Sequence, residues 1–419
     1  MSRGTNDTNG GSGADAGLRA GATGIVNALI DAGHEAYFAG GCVRDRLLGI
    51  EPEDYDVATS GTPSDILRVF PRAQGVGQSF GVMLVRSAGR MYEVATFRAD
   101  GGYSDGRHPD RVTFSDARHD AERRDFTING LFENPVTGEI IDFVGGRRDI
   151  EARVIRAIGE AEARLREDQL RMLRAVRFAA RFAFELEEST ADAIRRGTDQ
   201  LRGVSRERVG QEVKRMMVHP NRAVAAWTIQ YLGLDEQVLL EAHHAAAPTR
   251  LSRLADDAPY PTALAAWMLD RKGGSAVDDQ QRARQWGRSL VLSNAELEAV
   301  ERCIHVHQVL KSSWPELGVA RQKRLVATSE FEQALAVLLT ENRSAFIQVR
   351  RQVADLIRTG LQPPPLINGN DLAGMGLAAG PTFGRVLEAV YDAQLEGTVA
   401  DREQAMRLAR YLIETRLSE

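Results

Sequence analysis

The stretch from Gly40 to Asp56, GGCVRDRLLGIEPEDYD, constrains the fold of this chain more than any other segment. A short apolar strand, Glu35 to Ala39, runs into two glycines, and a helix start over Val43 to Leu48 follows. Glycine lets a backbone approach a phosphate closely because no Cβ stands in the way. The helix start aims free N–H groups and the positive end of its dipole at the same anion. Asp54 and Asp56, if on a strand, project to one face, since side chains alternate with a period of two. Two carboxylates beside a phosphate-binding loop are what magnesium-dependent phosphoryl or nucleotidyl transfer needs. An Asp-x-Asp pair by itself is common in surface turns; the Gly-Gly turn ahead of it supplies the missing half of a phosphate-and-metal site.

Around this stretch the pattern is mixed. Residues 1–17 are rich in Gly, Ser, Asn and Asp without an apolar core, which predicts a disordered tail and not a signal peptide. Leu18 to Gly33 reads as an amphipathic helix ended by glycine. Thr62-Pro63-Ser64-Asp65 opens a helix running to Phe70, and strands follow over Phe80 to Arg86 and Met91 to Phe97, joined by a turn at Ser87 to Arg90. Glu139 to Val144 is the last strand. Beyond about Asp149 long helical periodicities take over, as in Glu160 to Phe184, Glu187 to Gln200 and Arg206 to Val218. The expected fold is therefore an α+β part with a small mixed sheet, followed by an all-α remainder. Breaks at His219-Pro220 and over Thr359 to Asn370 divide it into 18–150, 151–218, 219–360 and 361–419.

A formal net charge of −5 argues against indiscriminate coating of nucleic acid but leaves room for local basic surfaces, such as Arg164 to Arg181, Arg202 to Arg215 and Arg321 to Arg324. The clusters read equally as solvated helix faces. Cys42 and Cys303 make neither a disulfide framework nor a zinc signature, which fits a reducing cytoplasm. No apolar run reaches the length of about 18 residues needed to cross a membrane, and nothing in the sequence sets an oligomeric state.

Further groups join the acids. Glu93, alternating with Ala95 and Phe97 on its strand, offers a third carboxylate to hold metal or deprotonate a hydroxyl; a salt bridge to Arg98 is the alternative. In Arg123-Arg124-Asp125-Phe126-Thr127-Ile128-Asn129, arginines and an aspartate at a helix mouth can clamp a triphosphate and bond a ribose hydroxyl, although Asp125 also suits an N-cap. Asp168 and Arg171 stand three apart in the expected helix and neighbour each other on one face. They form either a plain salt bridge or a base reader. A carboxylate accepts from the amine of cytosine or adenine while a guanidinium donates to the adjacent ring acceptor. Uracil and guanine put a carbonyl opposite the carboxylate and are rejected. Arg174 and Arg177 continue in steps of three that rotate by about −60° each, so they reach phosphates or lock the helix, while Met172, Val176, Ala179 and Ala183 make its buried stripe.

The glycine-led loop with Asp-x-Asp resembles the DNA polymerase β-type nucleotidyltransferase superfamily. GGCVRD with DYD, ERRDFTINGL and EDQLRMLRAVRFAARF together resemble, in order and spacing, the bacterial class II tRNA nucleotidyltransferases and their poly(A) polymerase relatives. The resemblance spans nearly the whole chain, including PLINGNDL and QLEG near the C-terminus. It implies a head, neck, body and tail in the divisions above, with RNA binding in body and tail. It implies magnesium on Asp54 and Asp56, CTP and ATP as substrates, and the 3′ end of tRNA as acceptor. It further implies nucleotide contacts from Gly40, Gly41, Arg44, Arg124, Asp125 and Asn129, base selection by Asp168 and Arg171, and support from Arg174 and Arg177. Cys42 and Gly130 depart from the family's usual small residue and Ala without removing a functional group. The Arg98 to Thr113 segment, with Asp105, Arg107 and His108, resembles the family's flexible loop for switching to ATP. Full CCA addition is therefore expected, ahead of A-addition or poly(A) synthesis; a catalytically silent tRNA-binding protein is the reading from another class. Leu269-Asp270 stands where a phosphohydrolase dyad would need His-Asp, so no hydrolase activity is expected.

Overall fold

The computed structural model describes residues 11–77, 81–102, 111–271, 278–377 and 380–416. Phe80 and the loop residues Asp105, Arg107 and His108 lie outside them. Helix α1 (Gly11–Asp31) begins ahead of the expected Leu18, so Gly11 to Gly17 continue the helix instead of belonging to a disordered tail. It closes where the Gly33 and His34 N–H groups donate to the carbonyls of Ile30 (2.8 Å) and Leu29 (3.0 Å). Then come β1 (Ala36–Ala39), α2 (Gly41–Leu47), β2 (Val57–Thr59) and α3 (Pro63–Val69), the last opened by a Thr62–Asp65 capping box. β3 (Gln74–Gly77), β4 (Val82–Ser87) and β5 (Arg90–Thr96) follow. β4 and β5 join through Ala88 (φ 47°) and Gly89 (φ 78°), a two-residue turn with both central residues left-handed, which matches the twist of the strands.

β6 (Arg98–Gly101) and β7 (Arg111–Phe114) pair antiparallel as a separate ribbon. α4 (Ala117–Glu122), a 3-10 turn over Thr127–Asn129, β8 (Leu131–Glu133), β9 (Ile140–Asp142) and α5 (Gly146–Ala152) complete the α+β part. The main sheet runs β3-β4-β5-β2-β1-β8-β9, antiparallel except between β2 and β5, so it is mixed. Alternation along β1 sorts the two cores. Ala36 and Phe38 pack with Ile25, Val26 and Leu29 of α1, while Tyr37 and Ala39 pack on the other face with Phe97, Phe132 and Ala121.

Two glycines fix the floor of what becomes the site. A Cβ on Gly146 would stand 2.2 Å from the Thr127 carbonyl oxygen, and one on Gly130 would stand 2.6 Å from Val144 Cγ2. An alanine at Gly130 would therefore have to displace the Val144 side chain. Gly146→Ala must push α5 off the turn that carries Asn129, and it should cost about 1–3 kcal/mol, read as a lowered Tm with nucleotide affinity falling in parallel.

After β10 (Val154–Ile155) the expected single helix from Glu160 to Phe184 is two: α6 (Ala161–Glu167) and α7 (Arg171–Phe182). Asp168 between them is extended (φ −145°, ψ 103°), and its Oδ1 accepts from the Leu170 N–H at 3.1 Å. An aspartate that bonds the backbone two residues on offers it an alternative to the helix, and here that alternative wins. Met172, Val176 and Ala179 are buried as expected, but Ala183 is exposed and left-handed (φ 53°), ending α7 instead of extending its stripe. β11 (Glu185–Leu186) pairs parallel with β10, and α8 (Glu188–Gly197), α9 (Arg206–Met217) and α10 (Arg222–Tyr231) follow.

Among the described residues beyond Leu186, all regular structure is helical. The chain forms two compact units. One takes residues up to Met216 together with Val224–Ala245, and the other takes Met217–Ala223 with everything from Ala246 onward. The chain thus passes from one unit to the other at 216/217, beside His219-Pro220, returns at 223/224 and leaves again at 245/246. In the second unit Trp267 and Trp286 meet edge to face at 5.2 Å, and Leu372, Val386, Val390, Ala405 and Ala409 make a C-terminal core. Asp270 is spent on backbone there, accepting from the N–H groups of Arg250 (2.9 Å) and Leu251 (3.0 Å). Among the described residues no helix is long and apolar enough to cross a membrane.

Candidate active site

Gly40 turns the chain from β1 into α2 with φ 70° and ψ −116°. A Cβ there would meet Arg124 Nη1 at 2.7 Å, so glycine lets the turn lie directly against that guanidinium. Arg44, one turn into α2, is 5% exposed. It donates to Asp45 and to Asn129 Oδ1 and packs over the rings of Phe178 (5.2 Å) and Phe182 (4.8 Å).

Asp54 and Asp56 lie just ahead of β2, not in it. The backbone is nevertheless already committed to the sheet, because the Ala39 N–H donates to the Asp56 carbonyl at 3.0 Å. Tyr55 between them turns inward onto Phe38 (5.0 Å), leaving both acids on the opposite side. Glu93 on β5 is likewise outward, between buried Tyr92 and Val94, and joins Asp54 and Asp56 in one cleft of about 460 Å³. Its alternative partner Arg98 pairs instead with Asp100 at 3.0 Å. Burial pushes the Asp56 carboxyl up to about 7, and the Asp54 and Glu93 carboxylates add to this while Arg124 opposes it. A buried carboxyl whose proton affinity is raised by two neighbouring carboxylates fits a site completed by a divalent cation. Among the described residues no group of three or more His, Cys, Asp or Glu side chains is close enough to enclose a metal unaided.

Asp120 of α4, 1% exposed, anchors the arginine pair. Its Oδ1 accepts from Arg123 Nη2 at 2.6 Å, and its Oδ2 accepts from Arg124 Nη2 at 2.9 Å. Burial pushes its carboxyl up, but the two guanidiniums hold it below the usual carboxylate range. Asp125 is 7% exposed and takes four donors: the Phe126 N–H (2.8 Å), Asn129 Nδ2 (2.9 Å), and Arg174 Nε (2.8 Å) and Nη2 (2.6 Å). It is therefore no helix N-cap. Against the effect of burial, Arg174 and the Asn129 bond keep it ionised throughout the neutral range.

Asp168 and Arg171 stand on either side of the helix break and do not pair with each other. Asp168 Oδ2 accepts from Arg208 Nη2 of α9 at 2.7 Å. Arg171 Nη1 donates to Glu167 Oε2 (2.6 Å) and to the Arg164 carbonyl (2.8 Å), and Nη2 donates to the Arg123 carbonyl (3.4 Å). The plain salt bridge, one of the two readings of this pair, is therefore replaced by two groups held separately.

These side chains share a cavity of about 430 Å³, lined by Gly40, Gly41, Arg44, Asp56, Arg123, Arg124, Asp125, Asn129, Asp168, Arg171, Arg174 and Phe178. Asp56 faces both it and the acid cleft. Arg177 does not line the cavity; it pairs with Glu212 of α9 at 2.6 Å and lies over Phe178 at 4.2 Å. Sequence reasoning missed Asp120, Glu167, Arg208 and Glu212. The first two sit three or four residues from the arginines they hold, a legible helical spacing; no local pattern connects Arg208 to Asp168.

Comparison with known proteins adds a family. A Poly A polymerase head domain model matches residues 36–156, and a model described as a probable RNA and SrmB-binding site of polymerase A matches residues 183–245. A CCA-adding enzyme of Geobacillus stearothermophilus is 34% identical over 409 residues, covering 94% of this chain and 96% of the relative. One from Lactiplantibacillus plantarum is 32% identical over 399 residues, covering 91% and 93%. The crystal structure of the Bacillus stearothermophilus CCA-adding enzyme in complex with CTP superposes with a TM-score of 0.75 at 30% identity, covering 95% of this chain and 98% of that one. A Thermotoga maritima CCA-adding enzyme complexed with tRNA shares the fold, with a TM-score of 0.67 at 20% identity and coverage of 93% and 94%.

Proposed function

The chain belongs to the CCA-adding enzyme family, and we propose that it adds C, C and then A to the 3′ end of tRNA from CTP and ATP, without a template and with release of pyrophosphate. The observation that supports this reading is that Asp56, which also faces the cleft holding Asp54 and Glu93, shares one cavity with the two anchored arginines and with Asp168 and Arg171.

In this reading Asp54 and Asp56 would hold magnesium, with Glu93 beside them. Bound there, the metal supplies Lewis-acid chemistry for attack of the tRNA 3′-hydroxyl on the α-phosphate and neutralises charge on the departing pyrophosphate. Arg123 and Arg124, held rigid by Asp120, present guanidiniums to the triphosphate at no further ordering cost. Asp125 fixes Arg174 and Asn129 so that their remaining donors meet ribose and phosphate. Glu93, which shares the cleft with the pair, would take the hydroxyl proton. Asp168 accepts from the exocyclic amine of cytosine or adenine. Arg171, with Nε and one Nη2 hydrogen uncommitted among the described residues, donates to the ring acceptor beside it. The helices of 219–360 and 361–419 hold the tRNA by phosphate and shape, and the cytoplasm is the compartment this implies.

The test supplies purified protein with tRNAs lacking one, two or three terminal residues and with each nucleoside triphosphate separately. Products that stop after CCA are expected, and chelation of magnesium should halt them. Long A tails, or A added only after an existing CC, would replace this reading with poly(A) synthesis or A-addition.

A further inference from the structure

Of the four tryptophans, Trp267, Trp286 and Trp314 are at most 1% exposed, whereas Trp227 is 39% exposed. It lies on α10 one turn before Tyr231, which is 62% exposed, and Val224 on the same face is 50% exposed. The two rings run nearly parallel (28°) with centroids 6.3 Å apart. Arg195 of α8, which also pairs with Asp192 at 2.6 Å, places its guanidinium 5.1 Å from the Tyr231 centroid. Arg196 on α8 and Arg202 in the 3-10 turn that follows it have side chains 61% and 71% exposed. Burying these rings would have been favourable, so their display in a ladder with guanidiniums asks for a ligand that is flat and anionic at once. RNA is such a ligand: bases stack on aromatic and guanidinium planes while phosphates meet the cations.

Two observations give the face its place in the reaction. The ladder falls wholly within residues 183–245, the segment matching the RNA-binding family model. α8 packs along α6, with Arg196 3.7 Å from Glu162, and α6 ends at Asp168. RNA lying on this face is therefore one helix away from the nucleotide cavity.

We propose that Trp227, Tyr231 and Arg195 form a stacking platform for the tRNA acceptor end, gripping an exposed base while the 3′-hydroxyl enters the cavity. The proposal rests on the reading of the chain as a tRNA-elongating enzyme.

The test measures binding of an in vitro transcribed tRNA lacking its terminal CCA to the full-length protein, beside single-C incorporation. Trp227→Ala with Tyr231→Ala should raise the tRNA Kd by about 10-fold to 100-fold, the range expected from losing one or two base stacks. Affinity for CTP should not change, because neither ring lines the cavity. Trp227→Phe with Tyr231→Phe should restore binding, since a phenyl ring still stacks. In the wild type, Trp227 fluorescence should be quenched by the same tRNA, a readout independent of whether the alanine variant folds. Unchanged tRNA affinity in the folded alanine variant, or no quenching, overturns the platform, and so would variants that alter only self-association or capture of a protein. Wild-type protein that binds tRNA but adds no nucleotide would instead refute the enzyme reading and leave the platform standing.

Discussion

Replacing Asp54 and Asp56 together by alanine should abolish tRNA elongation, lowering kcat by about three orders of magnitude or more, with tRNA affinity retained. The two acids are the part of the site with no substitute: Glu93 shares their cleft but not the cavity into which Asp56 opens. The same change should have the opposite sign on stability. Burial with Asp54 and Glu93 nearby raises the Asp56 carboxyl from 3.8 to about 7, so between those values the folded state holds more proton than the unfolded one. Stability of the metal-free protein therefore falls as pH rises through that window, and the loss is fully present above pH 7. Asp56→Ala removes that loss. Metal-free Tm values should show the variant gaining on the wild type as pH rises from 4 to 7, with a constant difference above. A double variant that elongates tRNA at the wild-type rate would end the metal assignment.

The second large effect concerns base choice. Asp168→Asn replaces two acceptors with an amide that can either accept or donate, so uracil and guanine are no longer met by an unpaired acceptor. Preference for CTP over UTP in kcat/KM should fall by about 100-fold, the equivalent of one unsatisfied buried polar group. Arg171→Ala should do the same from the other side of the base. Arg208→Ala tests the architecture more sharply, because among the described residues the Arg208 guanidinium bonds Asp168, at 2.7 Å, and does not line the cavity. It should relax selectivity and raise KM for CTP while Arg124, held on Asp120, is untouched, and Arg208→Lys should recover part of the loss. Single-nucleotide incorporation with each triphosphate reads all three. Undiminished rejection of UTP and GTP by the Asp168 and Arg171 variants would remove the base-reading role.

Much of this is legible in the sequence. A Gly-Gly turn after an apolar strand, two acids one residue apart, and Arg124-Asp125 three residues before Ile128 are local patterns, and local sterics and hydrogen bonding decide their shape. The α+β part, its hairpin at Ala88-Gly89 and the Thr62 capping box follow from the same short-range rules. The break at Asp168 did not, because a helical periodicity continues across it and no Gly or Pro marks the interruption. One side-chain bond to the Leu170 N–H, reinforced from forty residues away by Arg208, outweighs a weak helical preference.

The sequence alone determined which chemical groups the site owns. The tertiary structure decided which of them face one another: Arg171 to Glu167 and not Asp168, Arg177 out to Glu212, Arg123 and Arg124 together on Asp120. The reason is physical. A guanidinium on a flexible stem has several partners within reach, and only the packed positions of α4, α7 and α9 select among them.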